Sequence, residues 1–143
     1  MTLQLEIHPQ NPQDRLIRQA VDIVHDGGVV AYPTDSGYAL GCSIGNKEGL
    51  ERIRRIRALG PDHNFTLICR DLSESATYAN FDDRVYRILR SNTPGSYTFI
   101  LRATKEVPRR LLHPKRKTIG LRVPDHRITL ALLAELDEPM MST

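Results

Sequence analysis

The sequence predicts an α/β domain. Two observations predict it: segments whose apolar residues recur at helical spacing alternate with short apolar, β-branched runs, and no repeat, low-complexity stretch or linker interrupts them. A third is size, since 143 residues with 40% hydrophobic content suit one domain spanning 1–143.

Asn11-Pro12-Gln13-Asp14 reads as a helix start, with a side-chain acceptor at the N-cap, proline at the first helical position and an acid in the first turn. Leu16, Ile17, Ala20, Val21 and Val24 follow at helical spacing. Gly27-Gly28 ends the helix, because glycine takes the left-handed conformation without a Cβ penalty. Val29-Val30-Ala31-Tyr32 is a buried strand that Pro33, lacking a ladder donor, should end. A second helix begins at Asn46 and turns Leu50, Ile53 and Ile56 inward, leaving most of its arginines outside.

Phe65-Thr66-Leu67-Ile68-Cys69 is the next strand, and Asp71-Leu72-Ser73-Glu74 has the spacing of a capping box that opens a short helix. Asp82 to Arg90 is a helix burying Val85, Ile88 and Leu89, and Asn92-Thr93-Pro94-Gly95 is a turn. Strands at 97–101 and 118–123 precede a helix that Asp125 caps and that reaches about Leu136. Pro139-Met140-Met141-Ser142-Thr143 has the look of a strand just beginning, which suggests that a C-terminal part is missing.

Composition excludes several classes. No run approaches the roughly 18 apolar residues of a membrane-spanning helix. The opening MTLQLEIHPQNPQDR lacks the basic start and apolar core of a secretory signal. Cys42 and Cys69 are 27 positions apart without a CxxC, which argues against a disulfide scaffold or a cysteine zinc site and for a reducing cytoplasm. The net charge of +3 is uneven: residues 102–122 carry +7 and the remainder −4, with a second cluster at Arg52, Arg54, Arg55 and Arg57. Such concentrations attract nucleotide phosphates or RNA, or form an ordinary solvated face.

Gly41-Cys42-Ser43-Ile44-Gly45 matches the GxSxG of a hydrolase nucleophile elbow, with Asp125 and His126, or Asp62 and His63, as partners. Against it, the helix cap Asn46 lies three residues beyond Ser43, whereas an elbow serine sits at the strand–helix junction, and a glycine-bounded turn explains the motif. The five histidines show no metal-ligand spacing, so no metal site is expected. Tyr32-Pro33-Thr34-Asp35-Ser36-Gly37 places two hydroxyls and a carboxylate beyond the end of a buried strand, where ligand crevices form. Asp35 there could meet an amine or a metal, or bond its own backbone.

Several segments together, GGVVAYPTDSGYALGC (27–42), HNFTLICRDLSE (63–74), NTPGSYTFILRATKEVPRRLL (92–112), KRKTIGLRVPDH (115–126) and EPMMST (138–143), resemble the YrdC-like family of threonylcarbamoyl-AMP synthases, most closely its YciO branch. The resemblance implies a twisted, open, mixed sheet flanked by helices around a basic concave face. It also implies a reaction: ATP, L-threonine and bicarbonate give threonylcarbamoyl-adenylate and pyrophosphate, with Mg²⁺ at the triphosphate, for modification of adenosine 37 of tRNA. Thr34 would line the threonine pocket and Arg122 would hold the substrate carboxylate. Arg57 and Thr98 would serve the nucleotide, and Ser142 would open the family's Ser-x-x-Asn-type signature.

Two departures accompany the likeness. Where synthases carry Lys-x-Arg, this chain reads Arg57-Ala58-Leu59. The lost phosphate contact is worth roughly 1.5–3 kcal/mol, or one to two orders of magnitude, unless Arg54 or Arg55 turns toward the site. The chain also stops inside the Ser-Thr signature. The alternative expectation is a non-catalytic module that grips tRNA or double-stranded RNA through Arg109, Arg110, Lys115, Arg116 and Lys117. About five phosphate contacts would give a salt slope of about −4 to −5.

Overall fold

The computed structural model describes residues 2–60 and 63–143. Asp62, and with it one acid–histidine pair weighed for the elbow, lies outside the described residues. Among the described residues five α-helices form: α1 (Asp14–His25), α2 (Lys47–Arg57), α3 (Leu72–Tyr78), α4 (Asp83–Ser91) and α5 (Arg127–Leu136). The strands are β1 (Val30–Thr34), β2 (Gly37–Ser43), β3 (Thr66–Ile68), β4 (Ala79–Asn80), β5 (Phe99–Ala103), β6 (Thr118–Arg122) and β7 (Met140–Ser142). They make one open mixed sheet in the order β1-β2-β7-β3-β6-β5-β4. Among the described residues only β3 and β6 pair in parallel.

The terminal apolar run is a strand at the centre of this sheet. β7 pairs with β2 on one side and β3 on the other, and Met140 and Met141 are buried. Side chains alternate across a sheet, so the register sorts them by face. Cys42, Met141, Leu67 and Leu121 share one face and pack with Leu50 and Ile53 of α2 and with Val107 and Leu111. Met140, Ile68 and Tyr32 share the other face and pack against α1 and α5. On that second face the next row runs Gly41, Ser142, Thr66, Gly120, Ile100. It passes under Tyr32 at one end and finishes at Ile100, which is 69% exposed.

Several local expectations hold. Asn46 caps α2 by accepting the Gly49 amide at 2.9 Å, and Gly27 ends α1 with φ +91. Asp71 accepts the Glu74 amide at 2.8 Å, although Glu74 answers the amide of Arg70 at 3.0 Å.

Others are corrected. Gln13, not Asn11, precedes α1, because His8 Nδ1 accepts the Gln10 and Asn11 amides and holds that segment in a turn. Pro33 does not end β1: the strand lies at the sheet edge, where a missing donor costs nothing. Of the glycine-bounded turn read at Gly41 to Gly45, the first three residues continue β2, and the turn begins at Ser43, whose carbonyl accepts the Asn46 amide at 3.0 Å. Ile56 and Ile88 are 62% and 51% exposed. At 3.6 residues per turn, each three-residue step from Leu50 through Ile53 to Ile56 regresses by about 60°, and Ile88 stands about 100° from buried Leu89. His126, not Asp125, caps α5, its Nδ1 accepting the Ile128 amide at 3.2 Å.

Candidate functional site

The β1–β2 hairpin closes in a two-residue turn, Asp35-Ser36, with Thr34 paired to Gly37. Thr34 Oγ1 donates to the Gly37 carbonyl at 2.7 Å and accepts the Ser36 amide at 3.1 Å, and Gly37 takes φ +120, which favours glycine. The turn reaches the far end of β6. Arg122 Nη2 donates to Asp35 Oδ1, and Asp35 Oδ2 accepts the Asp125 amide at 3.0 Å. Arg122 Nε donates to the Gly95 carbonyl at 3.3 Å, while the Gly95 amide donates to the Val123 carbonyl at 2.8 Å. Three segments with no sequence proximity, the hairpin tip, the loop at 93–98 and the end of β6, are thereby tied together. Asp35 meets a cation of its own chain, not its own backbone.

Tyr32 links this corner to the sheet centre. Its hydroxyl shares a hydrogen bond with Ser142, whose Oγ donates to the Leu40 carbonyl at 2.8 Å. Burial pushes the Tyr32 phenol up to about 12, with Ser142, Arg122 and Arg57 opposing the rise, so it stays neutral at physiological pH. Thr98 is exposed, and its methyl lies 3.2 Å from where a Gly120 Cβ would stand, beside Thr66 Oγ1 at 3.0 Å. Thr34, Thr98, Arg122 and Ser142 therefore surround one sheet face, with Ser142 buried beneath it. Arg57 approaches from α2, where Nη2 donates to the carbonyls of Thr143 at 3.2 Å and Tyr38 at 3.4 Å.

Leu59 is half-buried against the core, and its amide donates to the Arg54 carbonyl at 2.9 Å as α2 ends. Arg54 does not replace a cation at this corner: it lies over the Phe65 ring at 5.1 Å and donates to the Gly60 carbonyl at 2.8 Å.

The basic residues form a second feature. Arg109, Arg110, Lys115 and Lys117 line a groove of about 590 Å³ together with Arg54 and Phe65, and Arg116 is not among its lining residues. None of Thr34, Thr98, Arg122 and Ser142 is among the residues lining that groove.

Among the described residues no triad forms on Ser43, whose Oγ donates to Glu138 at 3.0 Å while His126 Nδ1 serves the start of α5. Cys42 and Cys69 are buried, and burial raises them to about 11 and about 12, which leaves both as inert thiols. Among the described residues no three His, Cys, Asp or Glu side chains gather to hold a metal, and no helix is long and apolar enough to cross a membrane.

The neighbours of this face that the sequence reading did not single out as site residues are Tyr32, the Asp125 amide, Thr66 and Gly120. Tyr32 was legible only as the end of a buried strand; the register of β3, β6 and β7 brings Thr66 and Gly120 to this face, and the contact with Asp35 brings the Asp125 amide.

The family model for Sua5, YciO and YrdC, described as "Telomere recombination", matches residues 22–143. The chain belongs to this family. It is 65% identical over 137 residues to the uncharacterized protein YciO of Escherichia coli K12, covering 96% of this chain and 66% of that protein, so it spans just under two thirds of this relative. It is 30% identical over 131 residues to the threonylcarbamoyl-AMP synthase of Vibrio vulnificus YJ016, covering 89% of this chain and 69% of that protein. Similarity is thus higher to YciO than to that synthase. The crystal structure of E. coli YciO superposes with TM-score 0.96 at 63% identity, over 100% of this chain and 69% of that one. P. abyssi Sua5 complexed with L-threonine superposes with TM-score 0.84 at 23% identity, over 93% and 39% of the two chains, a likeness of fold.

Proposed function

We propose that this chain carries the substrate face of a threonylcarbamoyl-AMP synthase. Threonine amine and bicarbonate form a carbamate with loss of water. A carbamate oxygen then attacks the α-phosphorus of ATP, the bond to the bridging oxygen breaks, and pyrophosphate leaves with the electron pair. The observation that supports this most is the meeting of Thr34, Thr98, Arg122 and Ser142, scattered from residue 34 to residue 142, about one sheet face.

Arg122 suits a carboxylate, because guanidinium–carboxylate bonds are charge-assisted and directional. Thr34 and Thr98 offer hydroxyls for the amino acid and the nucleotide. This reading gives Arg57, which donates from α2 to the Thr143 carbonyl, to the triphosphate, while Ser142 holds Tyr32 through its hydroxyl. Mg²⁺ supplies charge neutralisation on the phosphates. With leucine at position 59, turnover should fall roughly one to two orders of magnitude below that of a Lys-x-Arg enzyme.

Pyrophosphate release that requires ATP, L-threonine and bicarbonate together is the expected result, reduced at least about a hundredfold by Arg122→Gln. No release at high protein concentration counts against the reading.

A second reading is favoured by the basic groove: its cations grip the phosphates of tRNA or double-stranded RNA. Charge reversal at Lys115 and Lys117 should then abolish retention of RNA, and unaltered retention would dismiss it.

A further inference from the structure

We propose that Arg122 and the backbone N–H of Asp125 form a carboxylate site, that Asp35 is its internal occupant, and that a carboxylate ligand binds by displacing Asp35 and releasing the hairpin tip. The inference deepens the function proposed above and rests on the reading of Arg122 as the residue that holds a substrate carboxylate.

The donor set carries it. A carboxylate is recognised by a guanidinium on one oxygen and a main-chain amide on the other, and that is how Asp35 is seated: Oδ1 on Arg122 Nη2 and Oδ2 on the Asp125 amide. The seat is prepared independently of Asp35, since Arg122 Nε is held by the Gly95 carbonyl and Gly95 by Val123. The side chains of Arg122 and Asp35 are only 13% and 17% exposed, so a vacated Arg122 would be a largely buried cation without a partner. Among the described residues Asp35 is the only carboxylate in ion-pair contact with it. Exchange of Asp35 for a ligand carboxylate keeps that charge paired throughout.

Asp35 is also placed to leave. It sits in a two-residue turn at the tip of an edge hairpin, with Ser36, Gly37 and Tyr38 exposed beside it. Behind the tip, Thr129 Oγ1 donates to the Pro33 carbonyl and anchors β1 to α5, so that release need involve only the turn. A latch that is closed most of the time weakens a ligand's apparent affinity by the fraction of open molecules, so removing it tightens binding.

The test uses the intact protein and two variants, Asp35→Asn, which keeps the shape without the charge, and Asp35→Ala, which empties the seat. Acetate is titrated while the Asp125 amide resonance is followed. The variants should bind acetate at least about tenfold more tightly than the parent protein. Equal or weaker binding by both folded variants overturns the latch. In the parent protein, saturating acetate should speed hydrogen exchange at residues 35–37 without changing the Met141 amide, and slower exchange at 35–37 also overturns it. L-threonine in place of acetate addresses the function: a variant that binds acetate at Asp125 but takes no L-threonine leaves the latch standing and removes the synthase reading. Loss of acetate binding on adding Arg122→Gln is expected, and retention of it overturns the assignment of the seat.

Discussion

At the scale of single residues, the decisive positions are small ones against which something large must lie. A Cβ at Gly41 would stand 2.8 Å from Tyr32 Cε1 and 3.5 Å from both Met140 Sδ and the Met141 carbonyl. Tyr32 is 1% exposed and its hydroxyl is committed to Ser142, so the ring has nowhere to move. Gly41→Ala should therefore cost about 1–3 kcal/mol in urea unfolding, the range for overpacking a filled core. A loss well under that range would mean that the ring tolerates displacement. Gly41 lies within the GxSxG motif, where the same glycine would be read as a catalytic elbow. The sequence shows the glycine but not what lies over it, and only the pairing of β1 with β2 brings Tyr32 there.

At the scale of elements, caps were legible at Asn46 and Asp71, where the capping side chain reaches an amide three residues on, and misread at Asn11 and Asp125, where the nearby His8 and His126 rings accept the amides instead. Asn46 does more than the local pattern implied. Its Oδ1 accepts the Gly49 amide, and its Nδ2 donates to the Gly27 carbonyl at 2.9 Å, tying the start of α2 to the end of α1. A Cβ at Gly49 would lie 2.5 Å from that same Nδ2, so the glycine leaves room for the cap to fold over the first turn. Asn46→Ala should lower stability by about 1–2 kcal/mol, with Asn46→Asp, which keeps only the cap, recovering part of the loss. Equal destabilisation by both variants would shift the weight to the contact with Gly27. The hairpin was less legible: Pro33 suggested a stop, and edge position, which makes proline harmless, is a property of the sheet and not of the strand.

At the scale of the whole molecule, three buried protonated groups give stability a common pH dependence. Burial raises Tyr32 from 10.0 to about 12, Cys69 from 9.0 to about 12 and Cys42 from 9.0 to about 11. Each binds its proton more tightly in the folded chain, so its contribution is complete below the unfolded value and is lost as pH rises through the folded one. Urea midpoints should fall across the window from pH 9 to pH 12, and Tyr32→Phe should flatten the part above pH 10. An unchanged slope in that variant would place the titration elsewhere. The linear sequence determined the α/β class, most elements though not β2 or β4, and the positions carrying the family likeness, because propensity, capping and hydrophobic period act over a few residues. Which of those positions meet was decided by long-range pairing. The last strand lies between β2 and β3, the row from Gly41 to Gly120 comes from four separate strands, and the hairpin tip crosses to Arg122. Such contacts depend on register, and register is set by burying one face of every strand at once.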